Sequence, residues 1–267
     1  MLNKKKLQQL SNSIRFQIIQ KSYKKKSGHL GGSLSCVDLL VNVFNNFIFK
    51  NKNNRFILSK GHCALALYAT LYIHKKLSKK LFDSFANQGS VFGEHPSPKI
   101  KNKFIEFSTG SLGHGLSFAS GIAYANKLKR KKDKTFVLMS DGEMNCGSVW
   151  ESALLSSKLK LDNLIAIIDY NKFQATGKSD EILSINPLAK KWQIFGWETI
   201  ECDGNNQESI DKKLQTLIKK NSKKPKIIIA NTIKGKGIKF MENDNNWHYR
   251  SPTLDEVNIS KNLLGIK

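Results

Sequence analysis

Acidic side chains are scarce in this chain of 267 residues, where 21 Asp and Glu face 44 Lys and Arg for a formal charge of +23. A field of that sign attracts nucleic acid, membrane surfaces and phosphorylated substrates. The cations, however, are mostly lysines in short dispersed runs at residues 4–6, 24–26, 129–132 and 223–224. No basic stripe interleaved with stacking aromatics accompanies them, so they read as solvated faces, and no nucleic-acid partner is expected. Cysteine is also sparse. Cys36, Cys63, Cys146 and Cys202 form no C-x-x-C pair, which argues against a zinc site or a disulfide framework and fits a reducing cytoplasm. No apolar run approaches the ~20 residues that span a bilayer, so no membrane partner is expected. Residues 7–20 mix apolar with Gln, Ser and Asn, unlike the core of a signal peptide. Two enzyme motifs are missing as well. Thr176-Gly177-Lys178-Ser179 ends like a phosphate-binding loop, but Lys172 stands where its first Gly is required. No G-x-S-x-G nucleophile elbow occurs.

What is present suits a globular enzyme. Hydrophobic residues make up 40% and aromatics 9% of a length able to bury a real core. Residues 5–24 place Leu7, Leu10, Ile14, Ile18 and Ile19 at helical spacing. Residues 28–33, GHLGGS, read as a glycine-rich loop, with Ser35 capping a following helix. A strand at 55–59 precedes a helix through Leu71, and a helix over 78–87 leads into a loop at 89–98. Gly110 to Gly115 opens a helix of small residues. Strands are expected at 135–139, 164–169, 198–201 and 227–231, separated by helices. This alternation predicts an α/β fold, a mainly parallel sheet with helices on both faces. One domain over residues 1–267 is expected, with basic frayed ends at about 1–6 and 256–267.

The densest chemistry runs from Ser140 to Gly177. It reads as a strand ending in Asp141-Gly142-Glu143, then a helix, then an apolar strand ending in Asp169-Tyr170-Asn171. Ligands of open parallel sheets collect at the carboxyl ends of strands, and a helical crossover sets two such ends side by side. Asp141 and Asn171 then offer two hard oxygens, with the Phe173 carbonyl a plausible third. Diphosphate oxygens and water would complete the octahedron of Mg²⁺, and Ca²⁺ would also fit. Gly142 lets the backbone approach phosphates, and a helix beginning near Gly147 offers its amides to them. Singly, Asp141-Gly142 is a turn and Asn171 a helix cap; at matched strand ends they read as a site.

The segment resembles the thiamine-diphosphate motif, in which Gly-Asp-Gly is followed after about thirty residues by Asn. Surrounding words narrow the resemblance to the transketolase family: SGHLGGSLS, ILSKGHCALALYA, GEHPS, STGSLGHGLSFASGIAYA, LDNLIAIIDYNKFQATG and NTIKGKGIKFMENDNNWHYRSP. They occur in the family's order over roughly residues 10–255 and match only its N-terminal, diphosphate-binding half. The resemblance therefore implies the N-terminal subunit of a split transketolase, moving a two-carbon ketol unit from a ketose phosphate to an aldose acceptor. It implies thiamine diphosphate and Mg²⁺ as cofactors. It also implies a C-terminal, pyrimidine-binding partner subunit in an α2β2 assembly, which supplies the Glu that contacts the cofactor's pyrimidine. Relatives acting on modified or nucleotide-linked sugars, and deoxyxylulose-phosphate-synthase-like carboligases, share this half; the block spacing favours transketolase.

Of six histidines, His74 sits in the basic end of a helix and reads as a solvated surface residue. His29, His62, His95 and His248 match histidines that line the family's active-site channel, where imidazole can donate or accept a proton near neutral pH. The resemblance marks His29, His95 and His248 as catalytic. It marks His62, Gly110, Leu112, Asp141, Gly142, Glu143, Asn171 and His248 as cofactor-binding, and Asp141, Asn171 and Phe173 as metal ligands. Five positions depart from the family pattern. Ser140 replaces the first Gly of Gly-Asp-Gly, and His114 stands where Gln is usual. Cys146 replaces a Glu of an acidic network that Glu151 still joins, and residues 93–95 read Gly-Glu-His for Pro-Gly-His. These departures bear on the substrate more than on the cofactor.

Overall fold

A computed structural model describes residues 4–266. The chain opens with helices α1 (Lys4–Lys25), α2 (Leu30–Ser35) and α3 (Val37–Val43), the last extended by a π turn. Strand β1 (Arg55–Leu58) leads to α4 (Ala64–Ile73), α5 (Lys79–Asp83) and, after a long loop, α6 (Gly115–Leu128). Then follow β2 (Thr135–Ser140), α7 (Gly147–Lys158), β3 (Leu164–Tyr170), α8 (Ser179–Leu183) and α9 (Leu188–Ile194). The remaining elements are β4 (Glu198–Asp203), α10 (Gln207–Lys219), β5 (Lys226–Asn231) and α11 (Leu254–Leu263).

The five strands form one sheet in the order β1-β2-β3-β5-β4, and every pairing is parallel. The apolar strands are buried on both faces, and their period of two divides the core between two layers. Phe136, Leu138, Ile165, Ile167, Ile228 and Ala230 face a cluster with α1, α3, α4 and α10. Val137, Met139, Ala166, Ile168, Ile227 and Ile229 face a second cluster with α6, α7 and α9. Register sets Ser140 beside Asp169 and Tyr170 beside Asn231, so three strands end at one level. Among the described residues no helix is long and apolar enough to cross a membrane.

Several local expectations change. The GHLGGS segment is mostly helical, because α2 begins at Leu30 and turns tightly against its neighbours. Ser35 does not cap α3, whose N-cap is Cys36 without a side-chain bond. The Ser35 hydroxyl is drawn instead to buried Asp169, at 2.6 Å, and to Gly32 O. The helix expected over 78–87 stops at Asp83, capped by Ser78, and a turn with Ala86 at φ +54° follows. Near the ends expected to be frayed, helix runs over Lys4–Lys25 and Leu254–Leu263. At the C-terminal end, α11 carries a Thr253–Glu256 capping box, and Asn12 Nδ2 donates to Leu264 O at 3.1 Å. Residues 1–3 and 267 lie outside the described residues. His74 is half-buried rather than solvated, bonded to Thr70 O at 2.8 Å and to Asn45 at 3.0 Å.

A buried ion pair fastens the N-terminal helices α1 and α3 together. Arg15 of α1 meets Asp38 of α3 through two contacts of 3.3 and 2.6 Å, with both side chains 2% exposed. Asp38 also accepts from Asn205 and Gln207, at the start of α10. Removing one partner strands a charge in a dry site. Arg15→Ala should therefore cost about 3–5 kcal/mol, read as a lowered urea midpoint at unchanged slope.

Candidate functional site

A cavity of about 290 Å³ opens at the carboxyl ends of the strands. Its lining draws on segments far apart in sequence, among them His29, His62, His95, Gly110, Asn171 and His248. Four of the six histidines thus converge. The His29 ring centroid lies 5.3 Å from His62, 6.3 Å from His95 and 5.3 Å from His248. His62 and His248 stack at 6.1 Å. Leu112 and Phe173 complete the expected lining. Gly110 is required sterically: φ is +158°, and a Cβ there would come within 2.7 Å of the His95 ring. The exposed His114 instead bonds its own loop at Leu112 O and does not line the cavity.

Asp141 is fully buried between two lining residues, Ser140 and Gly142. Its carboxylate accepts from Gly142 N at 3.0 Å, Lys172 N at 2.8 Å and Ser179 Oγ at 3.0 Å. Those bonds join the end of β2 to the segment after β3, where Asn171 Oδ1 accepts from Phe173 N at 3.0 Å. Burial, reinforced by the charge of Asp169, pushes the Asp141 carboxyl up to about 7 despite the three donors. A divalent cation beside it would oppose that shift. No group of three or more His, Cys, Asp and Glu able to hold a metal occurs among the described residues. A cation at Asp141 would therefore complete its shell with the Asn171 amide oxygen, a backbone carbonyl and ligand oxygens, which is the donor chemistry of Mg²⁺ or Ca²⁺.

Two expected contributors lie outside the cavity lining. Glu143 does not line the cavity. It is fully buried and accepts from Ser59 Oγ, from Gly113 N at 2.9 Å and from Ser140 N at 2.9 Å. It ties the ends of β1 and β2 to the loop that carries Gly110 and Leu112. The N-terminus of α7 also stays outside the lining, because a 3₁₀ turn over Gly142–Asn145 intervenes. Gly142, the first residue of that turn, lines the cavity in place of the helix N-terminus. Cys146 packs against Gly113, where a Cβ would meet it at 2.6 Å, and likewise does not line the cavity.

Lys234, Gln174 and Tyr249 line the cavity without a sequence expectation. Lys234, from KGKG, is almost fully buried, and its ammonium donates to Gln174 O at 3.2 Å and Asn245 Oδ1 at 2.5 Å. It lies 3.1 Å from His248 Nδ1. An ammonium only donates, so His248 Nδ1 accepts and its proton sits on Nε2. Burial, with Lys234 and the neighbouring His29 and His62, pushes His248 down to about 3, so this ring is neutral at physiological pH. Burial and Lys60 bring Lys234 to about 8, leaving it mostly cationic at neutral pH. The signal that would have found it is a lysine within a glycine-rich turn after a parallel strand.

The lining suits a phosphorylated ligand. A buried ammonium, the backbone of Gly142 and several imidazoles surround it, and two buried polar atoms, Ser140 Oγ and His29 Nδ1, have no protein partner. An unpaired buried polar group costs about 1–3 kcal/mol, which a ligand oxygen would relieve.

The family description that matches, over residues 6–267, is transketolase, thiamine diphosphate binding domain. An apulose-4-phosphate transketolase subunit of Phocaeicola vulgatus is 38% identical over 253 residues, covering 92% of this chain and 89% of the relative. The 6-deoxy-6-sulfo-D-fructose transketolase subunit SqwG of a Clostridium species is 35% identical over 243 residues, covering 88% of each. The crystal structure of transketolase from Campylobacter jejuni superposes with a TM-score of 0.88 at 28% identity. That alignment covers 99% of this chain but only 43% of the Campylobacter chain.

The raised Asp141 has a measurable consequence. Its proton is held more tightly in the folded than in the unfolded state, so its contribution to stability is full below pH ~4 and declines as pH rises through about 7. In carbon-13 NMR of the unliganded chain, the Asp141 carboxyl should titrate near 7; a midpoint near 4 contradicts this electrostatic account.

Proposed function

The chain belongs to the transketolase family through its thiamine-diphosphate-binding domain, and on that premise we propose that it is the N-terminal subunit of a split transketolase. The convergence of Asn171, Lys234 and four imidazoles on one cavity at the strand ends, with Asp141 buried between the lining residues Ser140 and Gly142, carries this reading. Asp141, Asn171 and the Phe173 carbonyl would hold Mg²⁺, with Ca²⁺ an alternative of the same donor chemistry. Gly142, His62 and Lys234 would receive the diphosphate, with Gly110 and Leu112 beside the rings of thiamine. Bound there, thiamine diphosphate supplies the carbon nucleophile of ketol transfer.

This chain's own residues orient the sugar and handle protons. His248 is neutral with its proton on Nε2, so it offers a donor to a substrate oxygen without bringing a charge. His29 leaves Nδ1 free of protein partners, and His95 reaches the same cavity from an independent loop. Together these three rings can hold hydroxyls and pass a proton at a carbonyl oxygen. Lys234, held by Gln174 O and Asn245, keeps a positive charge near the phosphate end. Glu143 keeps the Gly110 loop closed on this arrangement.

The assembly is read from the relatives, which are named as subunits of transketolases. The chain corresponds to less than half of a full transketolase and to nearly the whole of the relatives named as single transketolase subunits. A separately encoded pyrimidine-binding subunit in an α2β2 complex is therefore proposed, in a reducing cytoplasm that suits four free cysteines. The substrates are a ketose phosphate donor and an aldose acceptor. A second reading, a modified sugar as substrate, is favoured by the names of the relatives, which specify apulose-4-phosphate and 6-deoxy-6-sulfo-D-fructose.

Calorimetry with thiamine diphosphate and Mg²⁺ tests the site. Asp141→Ala should weaken cofactor binding at least about 100-fold through lost metal coordination, and Lys234→Met by about tenfold. Unchanged affinity in Asp141→Ala removes the metal assignment. The purified chain alone should show no ketol transfer, and addition of the partner subunit should restore it; transfer by the lone chain refutes the split arrangement.

A further inference from the structure

Glu94 is the one carboxylate that reaches the histidine cluster from the 89–98 loop, and the reading above gives it no task. Its Oε1 accepts hydrogen bonds from Ser27 Oγ and, at 2.9 Å, from Gly28 N. The donors immediately precede His29, and the acceptor immediately precedes His95. A single oxygen thus joins two segments 66 residues apart, at the points where each delivers an imidazole to the cavity. Both sides of the link are otherwise stiff. Gly28 sits at φ +102°, closed to other residues, and Tyr68 OH donates to His95 O at 3.2 Å. The two rings it serves lie 6.3 Å apart.

We propose that Glu94 is a positioning residue for ketol transfer, a clasp that fixes the spacing of His29 and His95 and places a negative charge beside both rings. The proposal rests on the reading of those histidines as substrate contacts. The charge has work to do in a cavity crowded with nitrogen. His29 is faced by His62, His95, His248, Tyr249, Cys63 and Glu94. Burial lowers its basicity and the neighbouring imidazoles lower it further, while Cys63 and Glu94 oppose them. Burial in turn disfavours ionisation of Glu94, yet the bonds from Ser27 and Gly28 and the facing imidazoles hold its pKa below the ordinary carboxylate value. It therefore stays an anion wherever the enzyme works, and the clasp and the charge are one group.

Two variants separate these roles. Glu94→Gln keeps an acceptor for Gly28 N–H and removes the charge, whereas Glu94→Ala removes both. In NMR titrations of the full chain, the His29 midpoint should fall by about half a pH unit or more in both variants. Exchange of the Gly28 amide should be unchanged in Glu94→Gln and at least about tenfold faster in Glu94→Ala. With the partner subunit present, the low-pH limb of the kcat profile should move to lower pH in Glu94→Gln, a shift that a purely architectural glutamate would not give. An unmoved His29 midpoint in Glu94→Gln, or unchanged Gly28 exchange in Glu94→Ala, overturns the proposal. Because both NMR readouts use the chain by itself, they stand or fall separately from ketol transfer; normal NMR behaviour with no transfer in the assembled enzyme would sink only the functional reading.

Discussion

The structure depends on a lysine–aspartate pair sealed under the cavity. Lys60, at the end of β1, and Asp169, near the end of β3, have fully buried side chains and meet directly. Taking two charges out of water is costly unless the geometry is good and the remaining hydrogen-bonding capacity is used. Here it is used. Ser35 of α2 and Thr232 after β5 donate to the Asp169 carboxylate, and Lys60 also donates to Gly32 O at 3.2 Å. Burial opposes the Lys60 charge, but the Asp169 carboxylate holds its pKa well above the usual value. The network thereby locks α2 onto the ends of three strands.

Its consequence lies two residues further along each segment. Lys60 is followed by His62, Asp169 by Asn171 and Thr232 by Lys234, and all three of those later residues line the cavity. The ion pair is therefore a common foundation from which separate chain segments project ligand-facing groups at fixed separation. Rigid support of this kind is what a polar site needs, since a misplacement of about 1 Å costs large factors in rate. The glutamates act likewise at the rim: Glu143 closes the Gly110 loop onto β2, and Glu94 closes the His95 loop onto the turn before His29. These two carboxylates organise backbone, while imidazoles and the Lys234 ammonium line the cavity.

Much of this was legible in the residues. Continuous apolar strands at 135–139, 164–169 and 227–231 announce a doubly covered parallel sheet, because only strands buried on both faces lack polar alternation. Asp141 and Asn171 were legible as a pair because strand ends align in such sheets. Harder to read was Glu143, whose place beside Asp141 suggests ligand binding until the bonds to Ser59 and Gly113 show its direction. The GHLGGS helix was hidden because glycine signals turns locally, whereas here the lack of side chains lets α2 sit against Lys234 and the Trp247 backbone. Lys234 went unmarked among so many lysines; composition could not distinguish the one that burial makes chemical.

By itself the sequence determined the fold class, the order of the elements, the pairing of Asp141 and Asn171 at adjacent strand ends and the kinship of the whole stretch. These depend on patterns within windows of ten to forty residues, which local sterics and hydrophobic periodicity write directly into the chain. Only the tertiary structure decided which carboxylates lie beside the cavity and which face the backbone, which lysines are buried and which histidines meet. Those outcomes depend on long-range packing and on the desolvation that packing imposes, and neither is a property of any single segment.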